Sequence, residues 1–326
     1  MTAPAPFAEI WRGPFLESVH TGHAVICDTS GQIVDAWGDP DAIVLPRSSS
    51  KMLQALPLLQ SGAADAFGLT TEQLAVACAS HEGAPIHVTK VGVWMKDLGL
   101  RDDAFRCGVQ ETRDRTLLEA QIRAGDSSCQ IHNNCSGKHA GFLTLARHLG
   151  AGPEYVDPDH PVQKACLAAF EEITGETSPG YGIDGCSAPN PAATLHGIAR
   201  AMARFAGAAD GSPQARLHQA MRLHPDLVAG EGRACTELMR ATDGKAALKT
   251  GAEGFYIAIL PEKGLGIALK ATCGTTRAAE AAIAALLVRL GILDANHPAT
   301  LKRINAPIEN WRGIQTGVLK PAAGLL

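Results

Sequence analysis

Apolar and polar positions divide the chain into two kinds of segment. Residues 19–28 read as a strand, Thr29-Ser30-Gly31 as a turn, and residues 32–37 as the hairpin partner. In the C-terminal third, residues 254–260 are apolar and rich in β-formers. Pro261-Glu262-Lys263-Gly264 predicts a turn there, and residues 265–271 the returning strand. Elsewhere apolar residues recur at helical spacing, over 141–149, 161–173, 191–205, 215–223, 234–241 and 276–290. Residues 50–60 also read as a helix, which Pro57 is expected to kink or end. Residues 74–79 form a short apolar run, expected to be buried and to lead into Ser80. Hairpins and helices occur without regular βαβ alternation. This predicts a mixed α/β (α+β) fold, an antiparallel sheet with flanking helices plus a helical region. No repeat, charge block or low-complexity linker interrupts residues 1–326, so one domain is expected. Its sheet region would come from the two termini and its helical region from the middle.

Composition narrows the function classes. Of 326 residues 46% are hydrophobic and 19% charged, which suffices for a substantial core. A net charge of −4 gives no electrostatic footprint for nucleic acid. No stretch reaches the roughly 18 apolar residues of a membrane span. The first residues lack the basic and apolar regions of a secretion signal, so a cytoplasmic location is expected. Nine cysteines fit the reduced thiols of a cytosolic enzyme better than a disulfide scaffold, and some could bind metal.

Arg47-Ser48-Ser49-Ser50-Lys51 places Ser48 and Lys51 three apart at the head of a predicted helix, on one face. A serine hydroxyl is a poor nucleophile until a neighbour takes its proton, and a lysine can do so when neutral. Lys249-Thr250-Gly251 stands just before a predicted strand. Ser-x-x-Lys followed by Lys-Thr-Gly is part of the signature of serine β-lactamases and penicillin-binding proteins. The Ser-Asp-Asn element between them is missing, and Ser136-Gly137-Lys138 is not a clean substitute.

Two further clusters are dense in nucleophilic groups. One is Ile131-His132-Asn133-Asn134-Cys135-Ser136-Gly137-Lys138-His139, leading into an apolar helix; the other is Asp184-Gly185-Cys186-Ser187. Cysteines in such turns can present thiolates to Zn²⁺ or be buried free thiols, and the spacing lacks the Cys-x-x-Cys of structural zinc. Ser80 and His81 are adjacent, so on an extended strand they point apart. Ser80 is better paired with a distant lysine.

Together these segments resemble the Rhizobium etli-type L-asparaginases, the asparaginase II family. The resembling runs are Pro46 to Lys51, Cys78-Ala79-Ser80-His81, Asn134-Cys135-Ser136-Gly137-Lys138-His139, Asp184-Gly185-Cys186, Val228-Ala229-Gly230-Glu231-Gly232-Arg233 and Lys249-Thr250-Gly251-Ala252. The resemblance implies a fold similar to serine β-lactamases, penicillin-binding proteins and related glutaminases. It implies hydrolysis of L-asparagine to L-aspartate and ammonia, in a homodimer. It implies two Ser-Lys pairs, Ser48 with Lys51 and Ser80 with Lys249, the former serine expected as nucleophile and the reverse assignment open. A zinc ion would be held by Cys135, Lys138 and Cys186 with Asp184 behind them. Arg47, His139, Cys235 and Gly251 would line the substrate site. Two departures stand out. Cys107-Gly108-Val109-Gln110 carries Gln110 where relatives typically have His, and Glu82 follows Ser80-His81 where smaller polar residues are common. The rival reading is another serine acyl hydrolase of the same fold, a glutaminase, β-lactamase or esterase.

Overall fold

Residues 2–112 and 115–326 are described by the structure, a computed structural model. In chain order its elements are β1 (Ala5–Arg12), β2 (Phe15–Asp28), β3 (Ile33–Trp37), β4 (Ile43–Val44), α1 (Lys51–Gln60), α2 (Ala63–Ala66), α3 (Thr71–Ala77), α4 (Pro85–Asp97), α5 (Arg115–Ala124), α6 (Ser136–His148), α7 (Pro161–Thr174), β5 (Tyr181–Ile183), β6 (Pro189–Pro191), β7 (Ala193–Thr194), α8 (Leu195–Ala206), α9 (Pro213–Leu223), α10 (Pro225–Val228), α11 (Ala234–Ala241), β8 (Ala247–Thr250), β9 (Phe255–Leu260), β10 (Leu265–Ala271), α12 (Thr276–Arg289), α13 (Pro298–Ile304), β11 (Ala306–Glu309) and β12 (Gln315–Pro321). Short 3-10 turns punctuate them, one of which spans Arg47–Ser50. The chain divides into two units: Met1–Ser49 with Ala193–Gly207 and Glu237–Leu326, and Ser50–Ala192 with Ala208–Thr236.

The first unit is built on an antiparallel sheet ordered β11-β12-β1-β2-β10-β9-β8, with β3 paired to β2. Strand β9, Phe-Tyr-Ile-Ala-Ile-Leu, is buried at every position, which requires cover on both faces. Helices α8 and α12 both pack on β9 and β10. Each large apolar side chain enclosed there contributes roughly 1.5–3 kcal/mol. Close approach of α8 depends on Gly266 of β10, where a Cβ would lie 2.0 Å from the Ala203 nitrogen. Strand β10 matches its predicted bounds, and β2 begins earlier, at Phe15, because its exposed first half pairs with β1.

Strand β1 carries no strand signal in its sequence because it contains Pro6. The β1–β2 register shifts between Pro6 and Ala8, and the pairing with β12 begins only at Ala8. Proline therefore sits where the ladder is irregular or one-sided.

The second unit is helical. Helix α1 is buried from Lys51 to Leu59 and packs on α6, α7 and α9. It continues past Pro57 to Gln60, so this residue does not end the helix there. The lost hydrogen bond is offset by burial on every side, and the Pro57 carbonyl still accepts from Ser61 N. Helix α3, the 74–79 run, starts at a reciprocal Thr70–Gln73 capping box and is buried from Leu74 on. Helix α6 begins at Ser136, not at 141, and leans on α3 at Gly137. A Cβ there would lie 2.1 Å from Val76 Cγ1 and 2.4 Å from Val76 O, so only glycine fits.

The predicted 191–205 helix is shorter than expected. Residues 189–191 form β6, paired with β5, and α8 starts at Leu195. Its start is set by the Thr194 side chain, which accepts from Gly197 N at 2.8 Å.

Candidate active site

In the first unit, the serine run and the Lys-Thr-Gly strand meet. The Ser49 hydroxyl donates to the Lys249 carbonyl at 3.1 Å. Gly251 follows β8, and a Cβ there would lie 2.6 Å from Pro46 O and 2.8 Å from Ser49 Oγ. The third residue of Lys-Thr-Gly is thus glycine because the two segments touch. Arg47 has a positive φ of 52°, a strained conformation for a non-glycine residue, and opens the turn that presents Ser48. Ser48 is half-buried. Lys249 is buried, its Nζ donating to the Thr250 carbonyl at 2.8 Å. Arg47, Ser48, Lys249 and Gly251 therefore share one corner of this unit.

The second unit holds the other members. Lys51, the first residue of α1, is fully enclosed, and its ammonium donates to the Ala79 carbonyl and, at 3.4 Å, to the Asn134 carbonyl. Lysine is almost never buried without such partners. Those contacts fix its Nζ beside the segment that carries Ser80. Ser80 is half-buried, and its N–H donates to Val228 O at 2.9 Å.

Beside it, His81 is a structural post. Its Nδ1 accepts from Gly83 N–H at 3.1 Å, so Nε2 carries the hydrogen and donates to Ser136 Oγ at 3.0 Å. The ring stacks on His87 with centroids 4.8 Å apart. Burial, then the charges of His87, Lys51 and His132, holds its pKa well below the usual imidazole range.

Cys135, Lys138 and His139 occupy positions i, i+3 and i+4 at the start of α6, and so share one helical face. Cys186, at the tip of the β5–β6 hairpin, joins them: Lys138 Nζ donates to its sulfur at 3.1 Å. Ser187 turns that tip with a φ of 70°. All four side chains are buried. A hydrogen bond from the Cys135 thiol, with Lys138 and His139 nearby, holds the Cys186 thiol well below its ordinary pKa; the same bond pushes Cys135 up. Burial opposes charge on Lys138, but the Cys186 and Cys135 sulfurs and Asp184 more than offset it and raise its pKa.

His139 Nδ1 lies 2.9 Å from the Tyr155 hydroxyl, which accepts from Arg106 N–H and so turns its hydrogen to the imidazole. His139 Nε2 is buried with no hydrogen-bond partner, and the ring feels the charge of the Cys186 sulfur. Two sulfurs and a lysine amine in one enclosed place are the donors that the implied zinc set would use. Among the described residues, no group of three or more His, Cys, Asp or Glu side chains could hold a metal. The implied set differs from such a group in using Lys138.

The remaining expected residues are also placed. Cys235 is the second residue of α11 and is buried. Asp184 Oδ1 accepts from Gly185 N at 2.7 Å and Asp184 acts electrostatically on Lys138. Asn133 and Asn134 stitch the cysteine run to the 107–110 segment. Asn133 Nδ2 donates to Cys107 O and Gly108 O, and Asn134 Nδ2 to Gln110 Oε1 at 2.8 Å. Tyr155, which orients His139, carried no sequence signal.

A pocket opens next to Ser80, lined among others by Glu82, Gln110, Asn134 and Arg233. Arg233 Nη1 lies 3.5 Å from Glu82 Oε1. Glu82, marked in the sequence as a departure that adds negative charge, thus pairs with Arg233, a partner 151 residues away that no local pattern indicates.

Among curated protein sequences, none matches the chain significantly. Solved structures similar to it include Mglu in its native form, at 13% identity over 85% of this chain and 66% of that one, with a TM-score of 0.47. A class C β-lactamase aligns at 14% identity over 83% and 90% of the two chains, TM-score 0.40. A penicillin-binding protein homologue from Caulobacter crescentus aligns at 13% identity over 79% and 90%, TM-score 0.36. The sequence profile of the L-asparaginase II family matches residues 8–321. That match spans every segment in which buried lysines, serines and cysteines come together, and it identifies the chain as a member of the L-asparaginase II family.

Proposed function

We propose that the protein is an L-asparagine amidohydrolase that forms L-aspartate and ammonia, with Ser48 as nucleophile and Lys51 as its base. Family membership supports asparagine hydrolysis in general. The observation that carries the finer reading is the full burial of Lys51 and Lys249: Lys51 is held by the Ala79 carbonyl next to Ser80, and Lys249 by the Thr250 carbonyl in the strand that the Ser49 hydroxyl anchors. A surface lysine has no need of such fixing. A lysine used as a base has.

Ser48 Oγ attacks the side-chain carboxamide carbon and its proton passes to Lys51. Backbone N–H groups at the Ser48 turn or after Lys249 stabilise the oxyanion. Ser80 with Lys249 relays a proton to the departing ammonia, and water then cleaves the acyl-enzyme. Arg47 and Gly251 border the substrate, with His139 and Cys235 behind it. Cys135, Lys138 and Cys186 would hold zinc, with Asp184 supporting Lys138. Bound there, zinc supplies a fixed Lewis-acidic positive charge. A cytoplasmic homodimer belongs to the same reading. Among the described residues no helix is long and apolar enough to cross a membrane.

The test is ammonia release from L-asparagine and L-glutamine by the wild type, Ser48→Ala and Ser80→Ala. Activity on asparagine that is lost in Ser48→Ala supports the reading. Activity that survives there and vanishes in Ser80→Ala exchanges the two serines. No ammonia from either amide, with zinc supplied, overturns it.

A further inference from the structure

We infer that the pocket beside Ser80 is a head-group subsite that reads a free α-amino acid, Glu82 taking the α-ammonium and Arg233 with Gln110 the α-carboxylate. The inference rests on the proposed amidohydrolase reading and names how its substrate is recognised.

Three observations carry it. Glu82 and Arg233 face one pocket with opposite charges, and the Glu82 side chain is only 10% exposed. Low exposure strengthens any charge contact made there. At 3.5 Å their mutual contact is long for a charge-assisted hydrogen bond, so a ligand bearing both charges can make a closer one to each.

The carboxylate is also held in place. Gly230, at φ 122°, brings the loop leading to Arg233 so close that a Cβ would lie 2.6 Å from Glu82 Oε2. On the other side, Gly83 at φ 70° presses on the His132 carbonyl, 2.8 Å from where its Cβ would be. The two charges are therefore mounted on backbone that has little freedom to retreat.

Gln110 has a fixed orientation. Its Oε1 accepts from Asn134 N at 3.3 Å and from Asn134 Nδ2 at 2.8 Å. The amide therefore presents Nε2, a donor, to the rest of the pocket. An ionised histidine is not needed to attract a carboxylate there, because Arg233 supplies the charge.

An α-amino acid carries its ammonium and carboxylate on one carbon, matching the close spacing of Glu82 and Arg233. A ligand lacking either group leaves one of these half-buried charges without its new partner. Sites of this kind reject such analogues strongly. The subsite thus selects free amino acids over plain amides and over asparagine within a peptide.

Calorimetric binding to the full chain tests this without turnover, using L-aspartate, the expected product, and succinate, which lacks the ammonium. L-Aspartate should bind the wild type at least about tenfold more tightly than succinate. Glu82→Gln should weaken L-aspartate at least about tenfold and succinate less than about threefold. Arg233→Lys, which keeps the charge but loses the fork, should weaken both ligands. Equal loss for both ligands in Glu82→Gln, or no selectivity in the wild type, overturns the subsite. Selective binding of L-aspartate without ammonia release from L-asparagine retains the subsite and removes the amidohydrolase reading. Ammonia release with binding unchanged in both variants does the reverse.

Discussion

The Ser49 hydroxyl and the Lys249 carbonyl are joined by a buried hydrogen bond of 3.1 Å, which ties the serine run to the edge strand of the sheet. Ser49→Ala leaves that carbonyl without this donor and should lower the unfolding free energy by about 1–3 kcal/mol. It should also reduce kcat on L-asparagine, since the turn carrying Ser48 loses its anchor. Urea denaturation and ammonia kinetics on the same preparation check this. Unchanged values in both would show that the bond positions nothing.

Gly251→Ala puts a Cβ between Pro46 O and Ser49 Oγ, at 2.6 and 2.8 Å. Neither neighbour is the end of a long flexible side chain. The serine turn must move, and displacements on the order of 1 Å can cost roughly a hundredfold in rate. We expect a folded variant by circular dichroism whose kcat falls by about that factor. A variant as active as the wild type would separate the glycine from catalysis.

Gly137→Ala addresses the other unit. A Cβ 2.1 Å from Val76 Cγ1 forces α6 away from α3, and overpacking of this sort costs roughly 1–3 kcal/mol or more. Thermal melting should show a clear drop in Tm. The displacement would also disturb the cysteine–lysine cluster, because Gly137 lies between Cys135 and Lys138 on the same turn.

Metal content tests the donor set directly. Protein purified without chelator should carry about one zinc per chain, the load of a single site. Cys135→Ser and Cys186→Ser should each lose most of it, by elemental analysis and independently of activity. Full zinc occupancy in both variants would place the metal elsewhere.

Acid stability follows from His218. Burial, with Arg222 nearby and Asp210 opposing it, lowers its pKa to about 4 from an ordinary 6.5. Between those values the unfolded chain holds the proton and the folded chain does not, so stability rises with pH across the window. The contribution is fully present above about pH 6.5 and is lost as pH falls towards 4, on the order of 1–3 kcal/mol. His218→Gln should flatten this limb of a stability–pH curve. An unchanged limb would assign the loss to other groups, such as His87, whose pKa burial also lowers.

Legibility in the sequence followed the range of the contacts. The β9–β10 hairpin and helices α11 and α12 rest on neighbouring residues, and pattern alone found them. Strand β1 is held by β12, from the far end of the chain, and Pro6 hides it further. Helix α4 mixes β-branched residues with Gly92, so its period is weak. The Ser48–Lys51 and Lys249–Gly251 motifs were readable because their chemistry is contiguous. The face shared by Cys135, Lys138 and His139 was missed because the helix was expected to begin at 141. Tyr155 and the Glu82–Arg233 pair are assembled by folding from distant segments, which no local pattern reveals.

The place of β1 between β2 and β12 has a consequence for biosynthesis. Ile10 leaves the ribosome long before its ladder partner Leu319, which lies 309 residues further along the chain. The stretch Ser50–Ala192 is complete long before then and can acquire its helices while the sheet still lacks a strand. Until Gln315–Pro321 arrives, β1 offers an open edge able to template pairing with another nascent chain. Completion of this sheet is therefore a late, long-range event, and chains ending before residue 315 should aggregate where the full chain stays dispersed.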